Sequence, residues 1–209
     1  MYNLKQSTKL DILLALFVSS LIAANLLGTK ITLILGISVS VGIFAYPLSF
    51  LITDIVTEVM GEERAKRFIL AGFMSLILVI ILTLISVKMP PASRYDYNQE
   101  YIKIFGPSLR IIIASMLAFA LSQLHDVWAF HFWKQKTRNK FLWLRNNLST
   151  IASQFIDTTL FMFVAFYAVT PKFTVGFIFS LIIPYWLFKI TFALLDTPLV
   201  YLGVKWLKK

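Results

Sequence analysis

The string Ser-Gln-x-x-Asp occurs twice, as Ser122-Gln123-Leu124-His125-Asp126 and Ser153-Gln154-Phe155-Ile156-Asp157, each time inside a long apolar stretch. An amide beside a carboxylate can both donate to and accept from a flat polar ligand, and the carboxylate can also hold a proton or a cation. A charged side chain at bilayer depth costs at least ~2.5–3.5 kcal/mol unless it meets a partner or a wet cavity, so it marks an ion or substrate path. Other apolar stretches carry Asp54 with Glu58, and Lys189 with Asp196. Residues three or four apart on a helix share a face, so Asp54 with Glu58, Gln123 with Asp126, and Gln154 with Asp157 form local polar patches.

The elements that must position these groups follow from hydropathy. The 209 residues are 58% hydrophobic, and a helical span needs about 20 mainly apolar residues. Six windows qualify, at 10–28, 37–60, 68–89, 109–132, 147–170 and 175–204. The expected fold is an all-α, polytopic membrane protein with six transmembrane helices, residues 1–209 forming a single membrane domain. With a rise of ~1.5 Å per residue, Asp54, Asp126, Asp157 and Asp196 all fall ~9–15 Å in from one end of their spans. Four helices can thus bring their acids to one level. Five carboxylates (Asp54, Glu58, Asp126, Asp157, Asp196) face one intramembrane Lys189 and the titratable His125. They cannot all stay ionised in a low dielectric, which fits proton coupling or cation binding.

Each residue also has a plainer role. Glu58 can pair with Arg64 or Lys66 at the membrane edge, Lys189 with Asp196 can form a structural bridge, and His125 can simply pack between helices. Spacing leaves open whether Lys189 pairs with Asp157 or Asp196.

The net charge of +10 could suggest a nucleic-acid binder, but that needs a basic face on a soluble scaffold. Topology accounts for the charge. With both termini in the cytoplasm, 13 Lys and Arg residues fall inside and 6 outside, as the positive-inside rule requires. A cleaved signal peptide ending near Ala23-Ala24 would leave five spans and misplace Lys205, Lys208 and Lys209. There is no cysteine, which excludes disulfides and thiolate metal sites.

In the second window Gly42, Tyr46 and Pro47 interrupt the helical pattern, and Pro47 is expected to kink the span. The third window is almost free of polar side chains and is expected to face lipid. Tyr95, Tyr97 and Tyr101, between Pro90-Pro91 and Phe105-Gly106-Pro107, suit an interfacial anchor, with a lid as the alternative. The basic stretch from Lys134 to Arg145, with Phe141 to Leu144, is expected to lie on the membrane surface.

Three segments together resemble the queuosine precursor transporter family: Leu51-Ile-Thr-Asp-Ile-Val-Thr-Glu58 running into Gly61-Glu-Glu-Arg-Ala-Lys-Arg67; Leu121-Ser-Gln-Leu-His-Asp-Val-Trp-Ala-Phe130; and Leu144-Arg-Asn-Asn-Leu-Ser-Thr150 with Ser153-Gln-Phe-Ile-Asp-Thr158. Met60 departs from the pattern, where an aromatic is expected. The resemblance implies a six-helix inner-membrane protein similar to the substrate-binding subunit of energy-coupling-factor transporters. It implies uptake of 7-deazaguanine precursors in their cyano and aminomethyl forms. No cofactor and no metal site are expected.

A guanine-like edge offers N1–H and an amine to a carboxylate, while its O6 accepts from an amide. Asp126 and Asp157 are therefore expected to contact the base, with Gln123 and Gln154 orienting it and Asp54 nearby. Phe50, Phe155, Trp128 and Tyr185 are candidates to stack on it. Glu58, Lys189, Asp196 and His125 are left for ion coupling or charge pairing. Two other classes compete. One is a binding subunit for a vitamin-like or nucleobase solute that needs an ATP-driven module. The other, a membrane-embedded enzyme, lacks His-Glu-x-x-His, Gly-x-Ser-x-Gly and cysteine. Expected partners are a small deazapurine and membrane lipid, not nucleic acid, with an energising module or a second copy left open.

Overall fold

Long apolar runs with few Gly or Pro breaks satisfy their backbone groups internally, which in a hydrocarbon environment selects helices. In the computed structural model, residues 5–34, 36–106 and 109–209 are described. Pro107 of the Phe105-Gly106-Pro107 motif lies outside them. Six segments are long and apolar enough to cross a membrane. They are α1 (Gln6–Leu27), a short 3-10 turn (Val41–Phe44) leading into α2 (Tyr46–Met60), α3 (Glu62–Lys88), α5 (Leu109–Lys136), α6 (Leu142–Phe166) and α7 (Val175–Lys208). A short α4 (Asn98–Phe105) lies between α3 and α5.

The second window is only partly helical. Residues 31–34 and 37–40 form an antiparallel hairpin, β1 (Ile31–Ile34) and β2 (Ile37–Ser40), pairing Ile31 with Ser40 and Ile34 with Ile37. Alternating β-branched residues favour strands, and Gly36 at φ +80° supplies the turn that an L side chain resists. The all-α expectation therefore omits a hairpin. Ser40 ends it by donating to the Gly28 carbonyl (2.8 Å) and accepting from Gly42 N (3.1 Å).

Pro47 does not kink a span. It lies in the first turn of α2, where its missing N–H has no intrahelical partner to lose. Gly61 at φ +86° closes α2 and opens α3.

α2 separates two environments. Ile52, Ile55 and Val56 join an apolar core with α1, α3 and α5, in which Phe17 packs on Phe68 and Phe119. The opposite face carries Ser49, Thr53, Asp54 and Thr57, all buried. The hydroxyls of Ser49 and Thr57 donate to carbonyls of their own helix, at 2.7 Å and 2.6 Å. That self-bonding lets them lie in an apolar layer. Along α3, Leu70, Met74, Leu78 and Leu82 are exposed, as expected for a lipid-facing helix. α4 packs on α3 through Tyr101, whose hydroxyl donates to Ser86 Oγ (2.9 Å).

The basic stretch from Lys134 to Arg145 is shorter than expected. α5 runs to Lys136 and α6 begins at Leu142, with a turn in which Arg138, Asn139 and Phe141 take left-handed backbone angles. Arg145 is 1% exposed, so it belongs to the interior and not to a membrane-surface anchor.

Candidate functional site

α6 carries a polar stripe at helical spacing, Asn146, Ser149, Thr150, Ser153, Gln154 and Asp157, all buried. It faces the polar side of α2 and the equally buried Ser122, Gln123 and Asp126 of α5. α7 closes the group with Lys189 and Asp196. The four acid-bearing helices do converge, and the structure decides which acid meets which partner.

Asp157 is fully engaged. Lys189 Nζ donates to its Oδ2 (2.7 Å), and Tyr46 Oη donates to Oδ1 (2.7 Å), with Ser122 Oγ at 3.3 Å from the same oxygen. The ammonium also lies 5.1 Å from the Tyr46 ring centre and 5.3 Å from that of Tyr185, within cation–π range. Lys189 thus pairs with Asp157 and not with Asp196.

Gln123 is held at both ends of its amide: Thr53 Oγ1 donates to Oε1 and Nε2 donates to Ser49 Oγ, each at 3.1 Å. It ties α5 to α2. His125 lies at the edge of the cluster, its Nδ1 2.9 Å from Ser153 Oγ and its ring against Trp128. Ser153 Oγ also lies 2.8 Å from the Ser149 carbonyl, to which it donates.

Asp54 and Asp126 are neighbours in the buried cluster, with Ser149, Thr150 and Ser153 around Asp126, and neither oxygen of Asp126 has a hydrogen-bond partner among the described residues. Asp54 Oδ2 accepts from Thr150 (3.3 Å), while its Oδ1 has no donor.

Glu58 does not pair with Arg64 or Lys66. Its Oε2 lies 2.7 Å from Arg145 Nη2 and 3.2 Å from Lys134 Nζ, while Lys66 bridges Glu62 and Glu63. Lys134 donates to the Glu58 carbonyl and Arg145 Nη1 to that of Lys140. The result is a charge clamp joining α2, α5 and α6 at one end of the molecule.

A cleft opens between α2, α6 and α7. One half, of about 290 Å³, is lined by Tyr46, Phe50, Thr150, Gln154, Lys189 and Asp196. It continues into a second, of about 190 Å³, that reaches Asp54 and Asn146. Gln154 Oε1 and Asn146 Oδ1 are buried without a hydrogen-bond donor. Asp196 is half-buried and has no hydrogen-bond or ion-pair partner among the described residues. An unsatisfied buried acceptor costs about 1–3 kcal/mol, so these two amide oxygens favour a ligand that donates to them.

Of the residues expected to bind substrate, Gln154 and Asp54 line the cleft. Asp126, Asp157 and Gln123 lie behind its wall, Asp157 acting on it through Lys189 and Tyr46. Phe50 lines it too, whereas Trp128 points outward and Phe155 packs on Trp186. Tyr46, Asn146 and Thr150 were missed as site residues. The α6 stripe was the available signal for the last two, because its polar positions recur with the helical period.

A family profile described as putative vitamin uptake transporter matches residues 40–203. A Bacillus subtilis (strain 168) protein named probable queuosine precursor transporter is 31% identical over 186 residues, 88% of this chain and 80% of that protein. The queuosine precursor transporter of Escherichia coli (strain K12) is 32% identical over 135 residues, 64% of this chain and 58% of its own length. A probable queuosine precursor transporter of Haemophilus influenzae is 27% identical over 126 residues, 60% and 51% of the two chains. No solved structure gives a significant match. With that profile spanning most of its length and the Bacillus relative matching nearly all of it, this multi-pass chain belongs to the queuosine precursor transporter family of the putative vitamin uptake transporter type.

Proposed function

We propose that this protein is a membrane carrier, not an enzyme, for uptake of 7-deazaguanine precursors of queuosine in their cyano and aminomethyl forms. The observation that carries this reading is the small cleft whose unpartnered acceptors, Gln154 Oε1 and Asn146 Oδ1, lie beside the aromatic rings of Tyr46 and Phe50. The N1–H and exocyclic amine of a deazaguanine supply the missing donors, and the ring supplies a face to stack, worth about 1–3 kcal/mol per base on an aromatic side chain. The names of the relatives agree with that chemistry.

In this reading both termini are cytoplasmic in the inner membrane, and the Glu58–Arg145–Lys134 clamp closes the cytoplasmic end. Asp54 and Asp126 share an exchangeable proton that couples to transport. The fold is similar to the substrate-binding subunit of energy-coupling-factor transporters, and residues 1–209 form a single membrane domain.

The test uses cells that cannot make the precursors but can insert them into tRNA, fed low external precursor. Queuosine in tRNA is expected to return with this gene and to be lost with Gln154→Ala. No return despite confirmed membrane insertion sinks the reading for a self-sufficient carrier. Tight precursor binding by purified protein, with no uptake into proteoliposomes containing only this chain, would instead identify a binding subunit of an ATP-driven system.

A further inference from the structure

The Asn146 end of the cleft carries a charge imbalance. Asp54 of α2, Asp126 behind it on α5 and Asp196 of α7 bring three carboxyls to this end. The neighbouring cations are committed elsewhere: Lys189 to Asp157, and Arg145 with Lys134 to Glu58. Asp54 and Asp126 can satisfy one another with a shared proton, which leaves Asp196 as the carboxylate with no counterpart. Beside it, Asn146 is 2% exposed and its Oδ1 has no donor. The next residue, Asn147, exchanges hydrogen bonds with Thr197 (3.0 and 3.2 Å) and is satisfied. An unpaired carboxylate and a buried, unsatisfied amide oxygen on facing helices form half of a site for an ammonium group, which offers N–H donors and a positive charge together.

Building on the precursor reading, we infer that Asp196 and the Asn146 carbonyl form a cation subsite that recognises a protonated amino substituent on the ligand and so sets preference between charged and uncharged precursors. The ring occupies the Tyr46–Gln154 half, and the substituent reaches toward Asp196, which borders both halves. An uncharged nitrile gains nothing from that carboxylate.

The test is binding of the aminomethyl and cyano deazaguanines to purified protein in nanodiscs, in sodium and in choline buffers. Asp196→Asn is expected to weaken the aminomethyl form by about tenfold or more and to leave the cyano form within about twofold. Asn146→Ser is expected to shift the same ligand in the same direction, which keeps the test sound if one variant folds poorly by gel filtration. Equal effects on both forms, or none on either, would overturn the subsite while leaving the precursor reading intact. Binding of neither form by folded wild type removes the reading and the subsite together. Sodium-dependent binding of both forms, lost in Asp196→Asn, would assign the carboxylate to an inorganic cation and also overturn the proposal.

Discussion

Lys189 Nζ lies 2.7 Å from Asp157 Oδ2, joining α7 to α6 in a pair with both side chains 8% exposed. Removing one member strands the other charge, which costs about 3–5 kcal/mol, whereas replacing both by apolar groups is often neutral. Lys189→Met alone is therefore expected to destabilise the protein by about that amount, and Lys189→Met with Asp157→Leu to recover most of it. Denaturant unfolding in detergent measures both. Uptake is expected to stay lost in the double variant, because Tyr46 then has no carboxylate to hold it. Equal stability of the single and double variants would count against the pair.

Tyr46 has two separable roles. Its hydroxyl donates to Asp157 (2.7 Å) and its ring lines the cleft. Tyr46→Phe is expected to cost about 1.5–3 kcal/mol of stability, the range for a hydrogen bond to a charged group, with precursor affinity reduced modestly. Tyr46→Ala is expected to lose a further tenfold or so in affinity through the missing stacking face. Ligand titration of both variants separates the roles.

The two acidic groups near Gly61 differ in consequence. Glu58 meets a buried Arg145, so Glu58→Ala is expected to cost about 3–5 kcal/mol. Glu62 and Glu63 meet Lys66, whose side chain is 41% exposed, so substituting either is expected to cost at most about 1 kcal/mol. Thermal unfolding of the three variants, side by side, tests that ordering.

The chain has no cysteine, so single cysteines report accessibility without background. Ala193→Cys, in the wall shared by both halves of the cleft, is expected to react with a hydrophilic maleimide and to be protected by bound precursor. Leu78→Cys, on the outward face of α3, is expected to stay unreactive in a bilayer and indifferent to ligand. Protection at neither position would remove the cleft as the binding site.

Gly203 packs against Ile55 so closely that a Cβ would overlap the Ile55 side chain. Gly203→Ala is expected to destabilise the α2–α7 contact by about 1–3 kcal/mol, the usual cost of overpacking. Pairing it with Ile55→Val is expected to relieve part of that loss in the same unfolding assay.

The sequence by itself determined the spans, because crossing a bilayer is a local property: each run must be long and apolar enough on its own. It also determined which chemistry the interior holds, since acids, amides and one lysine at bilayer depth have few other uses. It marked the irregularity at Gly42–Pro47, yet hydropathy alone could not separate the Ile31–Ser40 hairpin from a continuing helix, because a short apolar run fits either. Only the tertiary structure decided the partners. Asn146 and Asn147 are chemically identical neighbours, but they point about 100° apart on α6, so one is satisfied by Thr197 and the other is left open at the cleft. Lys189 could reach either acid by spacing, and its choice of Asp157 over Asp196 depends on how α6 and α7 rotate against each other. That rotation is set by side-chain packing between helices, which no single span encodes, and it is what leaves Asp196 unpaired and the cleft short of donors.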